Sequence, residues 1–124
     1  MLNNITIMGR ICNDIELRRT NSGKAVTSFA VAVDRDFEKG KADFLDVVCW
    51  GNTAEFAAKY FGKGRLAVIN GRLQMRDWTD KDGNKHRNAE IIANSLYFGD
   101  SKKDAADNNN NFVEIEDDFD DVPF

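Results

Sequence analysis

Aromatic side chains alternate with apolar ones in the segment 44–50. Successive residues of a strand point to opposite faces, so a period of two separates a core face from an outer face. The apolar set is Leu45, Val47 and Cys49, and the opposite set is Phe44, Asp46, Val48 and Trp50. Two large aromatic rings are therefore predicted to lie outside the core.

The segment 65–78 continues this pattern with cations. Its apolar positions are Ala67, Ile69, Gly71, Leu73 and Met75. The other face then carries Arg72 and Arg76 and, if the strand stays regular, Trp78. Phe37 adds a further ring in a polar loop, where few neighbouring residues are apolar enough to bury it. Arginine and tryptophan are thus predicted to share one surface.

Exposed rings interleaved with cations suit a single-stranded nucleic acid, because bases stack on the rings and cations neutralise the phosphates. Stacking contributes about 1–3 kcal/mol per base, more than one screened surface charge. The predicted stacking residues are Phe37, Phe44, Trp50 and Trp78, and the predicted phosphate contacts are Arg10, Arg18, Arg35, Lys63, Arg65, Arg72 and Arg76. The alternatives are a protein interface for the rings and ordinary solvation for each cation.

Catalytic and cofactor-binding patterns are missing from the sequence. His86 is the one histidine, and Cys12 and Cys49 lie far apart without metal-ligand spacing. The three Gly-Lys pairs are not followed by Ser or Thr, so none completes a P-loop. We therefore expect no enzyme activity, no cofactor and no metal, and we interpret His86 as a surface residue of a hairpin.

The charge is distributed unevenly along the 124 residues, whose net charge is -4. Residues 1–99 carry 15 Lys and Arg against 12 Asp and Glu, whereas residues 100–124 carry 2 against 9. This composition predicts one folded domain over 1–99, a short polar linker over 100–111 and a disordered acidic tail over 112–124. No apolar run approaches the roughly 20 residues of a membrane span, and we expect a cytoplasmic protein.

Five strands are predicted from period-2 alternation, in the segments 4–11, 25–33, 44–50, 65–75 and 89–96. One helix is predicted between the third and fourth strands, with Asn52 as its N-cap and Gly62 at its end. Asp82 and Gly83 predict a hairpin turn between the last two strands. This order is that of a mainly β, five-stranded OB-fold barrel, an architecture that often binds single-stranded nucleic acid.

The chain ends in an acidic run followed by Pro123 and Phe124, which a purely solvating tail does not need. Proline stiffens the end, the Phe124 ring can fill an apolar pocket, and the terminal carboxylate can meet a cation at the pocket's rim. The tip is therefore predicted to bind a partner protein.

An ordered set of segments resembles the bacterial single-stranded DNA-binding protein family, found in bacteria and their phages. The similar segments are Asn4–Arg10, Asp14–Arg18, Asn21–Gly23, Phe44–Gly51, the helix with Ala54, Glu55 and Tyr60, Lys63–Gly64, Gly71–Leu73, Arg76–Gly83 and Asp120–Phe124. The resemblance spans nearly the whole chain.

The resemblance implies a sequence-independent binder that coats and protects single-stranded DNA during replication, recombination and repair. It assigns base stacking to the same four rings, and it implies a homotetramer in a nucleoid-associated location. It also implies that the tip recruits replication, recombination and repair enzymes through Asp117, Asp118, Asp120, Asp121, Val122, Pro123 and Phe124. Val122 replaces a larger aliphatic residue of the family, and the linker is shorter than that of many relatives.

Two other interpretations remain open. One is an OB-fold protein-interaction subunit of a replication complex, in which the exposed rings form an interface. The other is an RNA-binding OB domain of the cold-shock type, although the predicted helix and the acidic tip both disfavour it.

Overall fold

The computed structural model describes residues 1–100, which form a β-barrel with one helix. The elements are β1 (Ile5–Ile11), β2 (Arg18–Arg19), β3 (Ala25–Asp34), β4 (Ala42–Trp50), α1 (Asn52–Tyr60), β5 (Leu66–Thr79) and β6 (Lys85–Phe98). The five long strands and the helix follow the predicted order. The two-residue strand β2, which pairs with β3, was not predicted.

The barrel closes because β1 pairs with two other strands. Ile5–Arg10 pair antiparallel with β5, and Arg10 and Ile11 pair antiparallel with β3. β5 then pairs with β6, β6 lies parallel to β4, and β4 pairs antiparallel with β3. The parallel pair is possible because α1 and β5 separate its strands along the chain. This five-strand ring confirms the predicted OB-fold barrel.

Each long strand contributes one large, fully buried aliphatic side chain to the core. These side chains are Ile11, Val31, Val47, Ile69 and Ile91. Ala54 and Ala57 of α1 are also fully buried, and Phe61 packs directly after the helix. Burial of the Cys49 thiol raises its pKa to about 12, so this cysteine behaves as a small apolar side chain.

The start of α1 differs from the prediction. Asn52 is the first helical residue, and Gly51 occupies the N-cap position with a φ of 61° and no side-chain cap. A residue without Cβ adopts this backbone conformation at little cost. The Gly51 carbonyl accepts the first helical hydrogen bond from the Glu55 amide at 3.1 Å. The interpretation of Asn52 as the cap was therefore wrong by one residue.

The β5–β6 hairpin is longer than predicted. Residues 75–79 and 85–89 pair only with each other among the described residues, and we call this part of the hairpin the arm. Leu73 and Met75, which were predicted to face the core, are 42% and 50% exposed. Leu73 keeps the predicted face, since it pairs with buried Ile91, but it lies next to the arm at the end of the barrel. Met75 already belongs to the arm, where alternation no longer leads to burial. The predicted turn is confirmed, with Gly83 at a φ of 86°.

Candidate nucleic-acid interface

Phe44 and Trp50 lie on the outer face of β4, where they are 71% and 41% exposed. Val47 points the other way and is fully buried, as strand parity requires. The neighbours on β3 are small or medium-sized, with Ala32 opposite Phe44 and Val26 opposite Trp50. Both rings therefore offer accessible surface to a planar ligand.

The strand register carries this outer face onto β6 and β5. Val48 lies between the two rings and pairs with Ile92 of β6, which in turn pairs with Arg72 of β5. Residues that pair directly across neighbouring strands point to the same face. The Arg72 guanidinium also donates to Gln74 Oε1 at 2.7 Å. The rings of β4 and the cation of β5 thus share one surface, which we call the outer face.

Cations surround Trp50. Arg18 of β2 pairs with Val26, whose other cross-strand neighbour is Trp50. Lys24 Nζ lies 5.5 Å from the centroid of the Trp50 ring, within the range of a cation–π contact. An open groove of about 770 Å³ follows this part of the surface. Its lining includes Arg18, Arg19, Trp50 and Arg76.

Two carboxylates lie within this groove. Asp46 and Glu90 pair directly across β4 and β6, and neither forms a salt bridge with another of residues 1–100. Their charges weaken the attraction for phosphates in this part of the groove, which leaves ring stacking as the larger contribution. The parity of β4 already placed Asp46 on this face. Glu90 could not be assigned from the sequence, because its place depends on the parallel pairing of β4 with β6.

The loop between β3 and β4 presents Phe37, which is 99% exposed. Arg35 fixes this loop: its Nη2 donates to Asp43 Oδ1 at 2.8 Å, and its Nη1 donates to Glu38 Oε1 at 2.9 Å. The hydrogen bonds with Asp43 and Glu38 raise the pKa of Arg35, and the hydrogen bond with Arg35 lowers the pKa of Asp43. Two carboxylates therefore compensate the charge of Arg35. Its contact with a phosphate stays a prediction.

Trp78 lies on the arm and is 41% exposed. Its ring stacks on the ring of His86, with the centroids 4.3 Å apart. His86 lies exposed on the hairpin, as predicted. Its contact with Trp78 was not predicted, because it depends on the length and register of the arm.

The remaining predicted cations lie near the start of β5. Arg10 pairs with Ala32, which places it in the same cross-strand row as Phe44. Arg65 donates to Asp100 Oδ1 at 3.2 Å, and its side chain is only 15% exposed. Lys63 is exposed in the turn before β5. Neither Lys63 nor Arg65 lines the groove beside Trp50.

Comparison with known proteins decides what kind of protein presents this surface. The profile of the Single-strand binding protein family matches residues 2–99. The chain belongs to this family. Its members are non-catalytic DNA-binding proteins, and the matched segment contains every residue assigned above to stacking and phosphate contact.

Three relatives within the single-strand binding protein family illustrate the extent of the similarity. The chain is 40% identical to the single-stranded DNA-binding protein of Clostridium tetani, over 90% of this chain and 81% of the relative. It is 37% identical to single-stranded DNA-binding protein 2 of Staphylococcus aureus, over the full length of both. It is 41% identical to the single-stranded DNA-binding protein of Fusobacterium nucleatum, over 82% of this chain and 69% of the relative.

The acidic tip, a membrane span and a metal site were also considered in the sequence predictions. The tip residues Asp117–Phe124 lie outside the described residues. The helix found within residues 1–100 is too short to cross a membrane. In the same part of the chain, no three His, Cys, Asp or Glu side chains gather in a way that could hold a metal ion.

Proposed function

We propose that this protein binds single-stranded DNA with little sequence preference and coats it during replication, recombination and repair. The observation that carries the proposal is the outer face, where Phe44 and Trp50 are exposed on one strand and share their surface with Arg18 and Arg72. Membership of the single-strand binding protein family supports it. A coated strand cannot re-pair with its complement, and nucleases cannot reach it.

Base stacking is the main attraction in this proposal. Phe37, Phe44, Trp50 and Trp78 each take a base, at about 1–3 kcal/mol per base. Every base has a π-face, so stacking does not discriminate between sequences. The cations compensate phosphates, with Arg10, Arg18, Arg72 and Arg76 best placed to do so. A duplex keeps its bases stacked on each other and offers only phosphates, so it binds weakly to such a surface.

The proposed ligand class is tested by competition. A fluorescein-labelled dT oligonucleotide is bound to the full-length protein and then displaced by unlabelled dT, by duplex DNA or by the matching RNA. We expect unlabelled dT to compete at least tenfold better than the duplex, because only the single strand presents its bases. Stronger competition by RNA than by DNA would favour the cold-shock interpretation instead, and equal competition by duplex would contradict the stacking mechanism.

We also propose that the protein forms a homotetramer. The resemblance to the family supports this number, and β1 supports self-association because it leaves part of one edge unpaired. Among the described residues, Ile5–Gly9 pair with β5 on one side only. Exposed Met8, with 55% of its surface accessible, lies on the same strand. An unpaired strand edge beside apolar surface is suited to pairing with a second copy.

The acidic tip completes the proposal. We propose that Val122, Pro123 and Phe124 enter an apolar pocket on replication, recombination and repair enzymes, supported in charge by Asp117, Asp118, Asp120 and Asp121. The protein would thus act by binding and recruitment alone, without catalysing a reaction, in a cytoplasmic and nucleoid-associated location.

A further inference from the structure

The end of the arm carries an aromatic stack that lies outside the hydrophobic core. Trp78 and His86 pair directly across β5 and β6. Their rings lie 4.3 Å apart at 20° to each other, which is a stacked arrangement. Both side chains remain partly exposed, Trp78 at 41% and His86 at 41%. The stack therefore organises a surface rather than a core.

Asp80 holds the imidazole in place. Its Oδ2 lies 2.8 Å from His86 Nε2, while its Oδ1 accepts hydrogen bonds from the amides of Asp82 and Asn84 at 2.9 Å. The hydrogen bond with His86, followed by those with the turn, lowers the pKa of Asp80. The carboxylate thus joins the ring of His86 to a fixed turn.

The indole is held at its polar edge as well. With the Asn88 amide oriented so that its oxygen faces Trp78, the indole Nε1 donates to that oxygen at 3.1 Å. Trp78 is therefore fixed by a ring on one face and by a hydrogen bond at its edge. His86 covers one face of the indole, and the 41% of Trp78 that stays exposed is available to another planar group.

We propose that His86, held by Asp80, is a positioning residue that makes Trp78 a one-sided platform for a single base. This inference rests on the proposed function. An indole already fixed in its binding orientation loses little rotational freedom when a base stacks on it, so its stacking contributes more to affinity. The imidazole also occupies the second face, so Trp78 takes one base and does not insert between two.

The inference is tested with His86 variants in a Trp50→Phe background, where Trp78 is the only tryptophan. His86→Ala is expected to weaken binding of a labelled dT oligonucleotide about three- to tenfold, because an indole that becomes ordered only on binding loses rotational freedom at that step. His86→Phe retains a ring and should restore affinity to within about twofold of His86 by the same reasoning. In the protein without DNA, the fluorescence anisotropy of Trp78 should fall in the His86→Ala variant and recover in the His86→Phe variant.

His86→Lys separates positioning from charge. It supplies a cation without a ring, so it should bind as weakly as His86→Ala. If Lys restores binding and Phe does not, His86 is a phosphate contact and the inference is wrong. A double-mutant cycle adds a second criterion: in a Trp78→Ala background, His86→Ala should have no further effect, whereas an additive loss would overturn the inference.

The proposed function and this inference fail in different ways. If the parent Trp50→Phe protein and the wild type both fail to bind the dT oligonucleotide, the proposed function is wrong. If both bind and His86→Ala binds equally well, only the positioning role of His86 is wrong. Thermal unfolding of each variant shows whether the barrel is intact, and we expect no change because His86 and Trp78 lie outside the core.

Discussion

Replacement of Phe44, Trp50 and Trp78 together by Ala is expected to lower the affinity for single-stranded DNA by at least about a hundredfold. Each ring contributes about 1–3 kcal/mol of stacking, and three lost contacts correspond to at least about 3 kcal/mol. The measurement is fluorescence anisotropy of a labelled dT oligonucleotide, at a salt concentration high enough to suppress contacts that depend only on charge.

The triple variant should fold normally, because its three rings are exposed rather than part of the core. Phe44 is 71% exposed, and Trp50 and Trp78 are each 41% exposed. Light scattering on wild type and variant should therefore give the same oligomeric mass, which the proposed homotetramer sets at four chains. Dissociation of the oligomer without a loss of DNA binding would instead favour a protein-interaction subunit.

Tyr60→Ala provides a matched control for the loss of an aromatic ring. Tyr60 is 39% exposed, much like Trp50, but it lies on α1 and contacts Phe56 and Phe98. It belongs neither to β4 nor to the arm. We expect its removal to leave DNA affinity within about twofold, since no base is proposed to stack there. A comparable loss in both proteins would mean that the effect of the triple variant is not specific to the outer face.

Gly71→Ala is expected to destabilise the barrel by at least about 1–3 kcal/mol, the usual cost of overpacking. A Cβ at this position would lie 2.1 Å from the carbonyl oxygen of Ile92 and 2.9 Å from its carbonyl carbon. Both atoms belong to the backbone of β6, so neither can move aside as a flexible side chain would. Gly71 also lies where the register of β5 against β6 shifts. Urea unfolding measures the change in the free energy of unfolding.

Gly62→Ala is the matched control for Gly71→Ala. Nothing lies within 4 Å of a Cβ built at Gly62, and its φ is not in the left-handed region. The same chemical change should therefore leave stability unaltered or slightly raised, because Ala restricts the unfolded chain more than Gly does. Equal stability of the two variants would show that the β5–β6 approach at Gly71 tolerates a side chain.

Much of the fold follows from alternation in the sequence, because the barrel has one buried and one exposed face. Alternation of apolar and polar residues, however, shows which strand residues are buried on one face, and it does not mark strands that are exposed on both faces. The arm escaped prediction for this reason: its residues are exposed on both faces. It is held by pairing within the hairpin, including the ion pair between Arg87 Nε and Asp77 Oδ1 at 2.8 Å.

The aromatic part of the candidate site was predictable, since Phe44 and Trp50 lie on one strand and parity alone fixes their face. The electrostatic part of the site was less predictable from the sequence. Arg65 donates a hydrogen bond to Asp100, which is 35 residues away along the chain. Glu90 lies opposite Asp46 because β4 and β6 pair in parallel. Such contacts depend on the register between distant strands, which a local pattern does not contain.

Stacking on the aromatic rings, rather than charge, is expected to provide most of the affinity for single-stranded DNA. A titration of the intrinsic tryptophan fluorescence with poly-dT, repeated at rising salt and with duplex DNA, tests it most directly. Stacking on Trp50 and Trp78 predicts strong quenching by the single strand that persists at high salt, and almost none by the duplex. No quenching, or an equal and steeply salt-dependent response to both forms, would mean that stacking on these rings does not provide the affinity.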